Sequence, residues 1–134
     1  MKYVSKYNNF HSLGSLQYPD KVRDFLSEID VFAIITGMDT TPLSLKEAQL
    51  MEKPVIATNV GGNAEIMEDG KTGFLIEEGN SNDLKEKVLT LLNNKELRIE
   101  MGKKGRKFIQ ENFSLEVSAK NFLKIIKPHL NKKY

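Results

Sequence analysis

Two short apolar runs, Val31-Phe-Ala-Ile-Ile35 and Val55-Ile-Ala57, constrain this chain more than any other feature. Both are too short for helices, and both are rich in β-branched residues. Neither alternates apolar with polar positions, so each reads as a strand buried on both faces, as a parallel sheet requires. A third run, Phe74-Leu-Ile76, follows the turn Asp69-Gly-Lys-Thr-Gly73. Helical patterns lie between the strands. Val22, Phe25, Leu26 and Ile29 recur at three- and four-residue spacing after Pro19, which suits a first helical turn. A second helix is predicted to begin near Pro42 and to end before Pro54. Strand, helix, strand, helix is the signature of a parallel sheet with right-handed crossovers.

Beyond Ile76 the pattern is helical only. Leu84, Val88, Leu91 and Leu92 mark one helix, with Ser81 or Asn82 as N-cap. Leu97, Met101, Phe108 and Ile109 mark another, weakened by Gly102 and Gly105. Leu115, Ala119, Phe122, Ile126 and Leu130 mark the last, capped by Ser114. The predicted fold class is α/β: a three-layer, Rossmann-like parallel sheet flanked by helices, in one domain over residues 1–134.

Bulk properties exclude several classes of function. The net charge of +2 gives no strong electrostatic case for nucleic acid or membrane binding. No stretch approaches the roughly 18 apolar residues of a membrane span, and the polar opening residues lack the apolar core of a secretory signal. Without cysteine there is no disulfide framework, thiol nucleophile or cysteine zinc site, and two histidines cannot build a histidine-rich one. The expectation is a cytoplasmic domain with no metal and no other cofactor.

In an open parallel sheet, ligands bind beyond the carboxyl ends of the strands. The first such end, Thr36-Gly-Met-Asp-Thr-Thr-Pro42, leads from a strand into a helix, with Thr41 as N-cap and Pro42 as first helical residue. The amides that follow suit a phosphate or a cluster of sugar hydroxyls, although an ordinary capped helix has the same sequence. On a helical wheel Leu43, Leu45, Ala48, Leu50 and Met51 leave a narrow polar sector around Lys46 and Gln49, and Glu47 falls inside the apolar arc. An unpaired carboxylate there costs several kcal/mol. Either a lysine pairs with it or ligand hydroxyls do, and a ribose diol offers two donors to its two oxygens. At the second strand end, Gly61 and Gly62 permit close backbone approach or a positive φ. They line a ligand cleft or form a tight turn.

These residues together resemble the C-terminal half of the retaining GT-B glycosyltransferases of the large glycosyl transferases group 1 family. Ser12-Leu-Gly14 looks like the family's strand ending in Gly, and Glu28-Ile-Asp30-Val-Phe-Ala33 like its next motif. Asp39-Thr-Thr-Pro-Leu-Ser-Leu-Lys-Glu47 is similar to its two acidic residues separated by seven. Lys53-Pro-Val-Ile-Ala57, Val60-Gly-Gly62, Glu65-Ile66, Asp69-Gly70, Thr72-Gly-Phe-Leu75 and Phe113-Ser114 continue it in order.

The resemblance implies a hexosyltransferase-type enzyme part that binds a nucleoside-diphosphate sugar for transfer to a glycan or lipid-linked acceptor in polysaccharide or glycoconjugate biosynthesis. It assigns Glu47 to the ribose hydroxyls and Asp39 a catalytic place near the transferred sugar. Thr40, Thr41, Pro42 and Leu43 would face sugar and diphosphate. Three positions depart from the family: Asp39 stands where Glu is usual, and Thr40 and Glu52 stand where Gly is usual. The family's N-terminal acceptor domain and the first two strands of its C-terminal domain are absent from this chain, which implies a part inactive by itself. It also implies an open apolar edge on the Val31 strand, to be covered by a rearranged strand, a second copy or a partner subunit. The resemblance leaves room for a peripheral place at the inner face of the membrane. The alternatives are a non-catalytic nucleotide-sugar-binding module and a degenerate structural or interaction remnant.

Overall fold

The computed structural model of the protein describes residues 8–38 and 40–130. Helix α1 (Asp20–Glu28) precedes strand β1 (Phe32–Ile34), and α2 (Leu43–Leu50) connects it to β2 (Val55–Thr58). A 3-10 turn at Asn63–Glu65 leads to β3 (Gly73–Ile76). Three helices close the chain: α3 (Ser81–Leu92), α4 (Lys95–Phe113) and α5 (Leu115–Leu130). The strands run parallel in the order β1-β2-β3, with Ala33 beside Ile56 and Ile56 beside Phe74. The α/β fold expected from the sequence is therefore the one observed.

Strand β2 is buried along its whole length, and its side chains alternate between two cores. Val55 and Ala57 join Leu26 of α1 and Leu45 and Ala48 of α2 on one face. Ile56 joins Ile76, Leu91 and Met101 beneath α3 and α4 on the other. Each fully buried aliphatic side chain stabilises the fold by about 1.5–3 kcal/mol relative to water, so this strand anchors all three layers.

Several local expectations change. Pro42, not Thr41, is the N-cap residue of α2, with extended backbone. Asn80 rather than Ser81 or Asn82 caps α3, its Oδ1 accepting from the Asp83 amide at 3.1 Å. An Asn side chain one residue earlier reaches the third amide just as well. Helix α4 runs unbroken through Gly102 and Gly105, which are buried rather than weakening. A Cβ at Gly102 would overlap the Glu52 carbonyl, and one at Gly105 would press on Gln49. Both glycines let α4 approach α2. Ser114 does cap α5, accepting from the Val117 amide at 3.3 Å.

Ser12-Leu-Gly14 is not a strand; these residues are exposed and Gly14 has φ 65°. A strand needs a neighbour to pair with, and none lies beside it among the described residues. The same holds for the free edge of β1. The Phe32 amide donates to the Pro54 carbonyl at 3.1 Å, so the polar backbone groups of Ala33, the alternate residue, face away from β2. No rearranged strand pairs with them among the described residues.

Candidate functional site

The carboxyl ends of β1 and β2 are held together by side chain as well as by ladder. The Thr58 hydroxyl donates to the Thr36 carbonyl at 2.7 Å and accepts from the Thr36 amide at 3.2 Å. Sequence reasoning missed this clamp, for which Thr at the end of a buried strand was the available signal. Past Thr36 the chain leaves the sheet, and Thr40 and Thr41 are exposed while Pro42 is buried. Asp39, the expected catalytic residue, lies outside the described residues.

Pro42 has no side-chain group to cap α2. Among the described residues, no side chain accepts from the first amides of this helix. Those donors, from Leu43 onward, are left for water or a ligand. They sit at the positive end of the helix dipole.

Glu47 follows one turn later and is half-buried. It lines a hollow of about 210 Å³ whose other walls include Tyr18, Val22, Leu26, Leu50 and Met51. Arg23 lines the same hollow but pairs with Asp20 at 3.2 Å and Asp24 at 4.0 Å. Lys46 instead lies over the Phe113 ring, 4.7 Å from its centroid. Among the described residues no Lys or Arg pairs with Glu47. The lysine pairing considered from the sequence is therefore not what is observed.

The helical wheel mistook the neighbours of Glu47. Gln49, expected in the polar sector, is 0% exposed, whereas Leu43 and Leu50 are 62% and 40% exposed. The reason is α4, which packs on α2 from the side and turns Gln49 inward. Its Nε2 donates to the Ile66 carbonyl at 2.7 Å and to the Leu45 carbonyl at 3.4 Å. Leu43, Glu47 and Leu50, spaced by four and three residues, thus form an outward stripe with the carboxylate between two leucines.

Gly61 and Gly62 do different things. Gly61 is exposed and takes φ 54°, a conformation that favours glycine. Gly62 is buried against the other loop: a Cβ there would overlap the Thr40 carbonyl oxygen and stand 2.9 Å from the Thr41 hydroxyl. Asn63 was not singled out from the sequence. It is fully buried, and its Nδ2 donates to the Thr58 carbonyl at 2.8 Å. The structure therefore gathers Thr40, Thr41, Pro42, Leu43 and Gly62 at the two strand ends, with Glu47 one turn along α2.

Residues 4–108 match the sequence profile of the family described as Glycosyl transferases group 1. The chain is 41% identical over 97 residues to an uncharacterized glycosyltransferase of Methanocaldococcus jannaschii, an alignment covering 72% of this chain and 27% of that protein. It is 30% identical to poly(ribitol-phosphate) alpha-N-acetylglucosaminyltransferase of Staphylococcus aureus, covering 87% of this chain and 28% of the relative. Among solved structures, a mutant of S. aureus TarM in complex with fondaparinux, alpha-GlcNAc-glycerol and UDP is similar with a TM-score of 0.70 at 31% identity. That match covers 80% of this chain and 22% of TarM. Anabaena HepE in complex with UDP-glucose shares the fold, with a TM-score of 0.72 at 20% identity. The chain spans only 27% and 28% of the length of the two curated relatives named.

Proposed function

This chain belongs to the glycosyl transferases group 1 family, and on that premise we propose that it binds the nucleoside-diphosphate sugar of a retaining glycosyltransferase. The observation that carries the reading is Glu47: a half-buried carboxylate between two exposed leucines, without a basic partner among the described residues, one turn from the uncapped start of α2. Its two oxygens accept from the 2′- and 3′-hydroxyls of the ribose. The amides that begin with Leu43, behind Thr40, Thr41 and Pro42, donate to oxygens of the diphosphate and the sugar. As the glycosidic bond to the diphosphate breaks, negative charge grows on the leaving group, and these fixed donors stabilise it. Asp39 is proposed to face the transferred sugar. The relative TarM was crystallised in complex with UDP, which supports a nucleotide as the ligand.

The acceptor side is proposed to come from outside these residues: an acceptor-domain half, a partner subunit or a second copy, which would also cover the open edge of β1. No helix among the described residues is long and apolar enough to cross a membrane. A cytoplasmic place, peripheral to the membrane's inner face, fits a donor of this kind.

Isothermal titration with UDP-, GDP- and ADP-sugars tests the donor reading, and absence of heat with all three would refute it. Replacing Glu47 by Gln keeps its shape but removes the charge that strengthens hydrogen bonds from hydroxyls. It should weaken binding by about tenfold, since a hydrogen bond to a charged group contributes roughly 1.5–3 kcal/mol. Mixing the chain with an acceptor half and scoring sugar transfer separates an enzyme part from a module that only binds.

A further inference from the structure

We propose that Gly62 is a positioning residue for the nucleotide-sugar site. Its missing side chain lets the turn after β2 close on the Thr40 carbonyl, and that closure sets the backbone leading into the first amides of α2. The inference rests on the donor-binding reading of α2 and goes beyond it, because Gly62 acts here without touching a ligand.

A methyl group at position 62 would overlap the Thr40 carbonyl oxygen and lie 3.0 Å from its carbon. These are backbone atoms, so one of the two loops must move. The turn after β2 is pinned. Asn63 Nδ2 donates to the Thr58 carbonyl at 2.8 Å, the Val60 amide to the same carbonyl at 2.8 Å, and the Glu65 amide to the Gly62 carbonyl at 3.1 Å. All of this hangs on β2, the strand buried along its whole length. The Thr40–Thr41 segment is exposed. Among the described residues it takes part in no side-chain hydrogen bond and no backbone bond outside the helices and strands. It is therefore the side that yields. Pro42, buried and with φ confined near −67°, passes the displacement into the first turn of α2. Gly61 needs glycine for its own φ instead, so the paired glycines divide between a turn and a contact.

The test uses the whole 134-residue chain, labelled with ¹⁵N, and compares Gly62→Ala with Gly102→Ala. Position 102 meets the same kind of obstacle, the Glu52 carbonyl, but past the other end of α2. Gly62→Ala should shift the amide resonances of Thr40, Thr41 and Leu43 in the ligand-free protein and weaken binding of the preferred nucleotide sugar at least tenfold. Gly102→Ala should lower Tm yet leave those resonances in place and affinity within twofold. Unmoved Thr40 to Leu43 resonances in Gly62→Ala would overturn the proposal, and so would an equal affinity loss in Gly102→Ala. If the wild-type chain binds no nucleotide sugar, the donor reading fails, while the ligand-free resonances still decide whether Gly62 sets this loop. If Gly62→Ala does not fold, Asn63→Ala frees the same turn. It should move the same resonances, and leaving them unmoved would overturn the proposal.

Discussion

Glu47 and Gln49 lie two residues apart on α2, yet the carboxylate is half open and the neutral amide is sealed. Gln49 tolerates burial because its Nε2 reaches the Ile66 carbonyl; its Oε1 has no partner among the described residues. Gln49→Glu would remove that donor and place a charge in a fully buried position. We expect a loss of about 3–5 kcal/mol, the usual cost of an uncompensated buried charge, read as a lower urea midpoint. Glu47→Gln should leave the same midpoint nearly unchanged and act on nucleotide affinity alone. That contrast separates a ligand-facing residue from a structural one. The sequence pointed to Glu47 as the odd residue on this helix, and no basic side chain among the described residues pairs with it. It could not point to Gln49, because a wheel of one helix carries no information about α4, which arrives from some fifty residues away.

At the scale of elements, the turn between α2 and β2 concentrates strain and close contact. Glu52 adopts φ 57°, the left-handed region where a side chain costs roughly 1–2 kcal/mol per residue. This gives a backbone reason for the glycine usual at that place in the family. Glu52 recovers part of the cost through Arg106 at 3.2 Å, but that pair is exposed and contributes at most about 1 kcal/mol. Glu52→Gly is therefore expected to raise stability by up to about 1 kcal/mol in chemical denaturation. Gly102→Ala, pressing on the same turn, should lower it by about 1–3 kcal/mol, as overpacking does. The strands and helices themselves were legible, because apolar runs and three-to-four spacing are local signals. Cap positions were less so, since Asn80, Ser81 and Asn82 all offer capping chemistry within three residues. The glycines of α4 were misread as weakness because their use depends on a surface the helix meets only in the folded chain.

For the whole molecule, the informative regions are those that remain uncovered. No residue of α5 is buried, and Leu115, Phe122, Ile125 and Leu130 are all more than half exposed. On the edge strand of the sheet, Ala33 of β1 is exposed, and so is Ile35 just past its end. If a second copy or a partner covers that edge, Ile35→Lys should reduce association in sedimentation velocity by at least tenfold in Kd while leaving the fold intact. Unchanged association would show that the edge is not used. The missing strand at Ser12-Leu-Gly14 follows the same logic. Its residues match the family pattern, but strand structure is a property of pairs, and no single segment can specify a neighbour it does not contain.

The clamp between Thr58 and Thr36 gives this open edge a further meaning. It fastens the most sheltered strand of the sheet to the least sheltered one immediately before the loop that holds Thr40. Solvent exchange should therefore be slowest at Ile56 and quickest at Ala33, with the Thr36 amide slower than its place on an outer strand would suggest. Anything that docks beside Ala33 steadies the loop from one side, and a nucleotide steadies it from the other. Such coupling is reciprocal by thermodynamic necessity. Saturating nucleotide should then tighten docking by the same factor by which docking tightens the nucleotide.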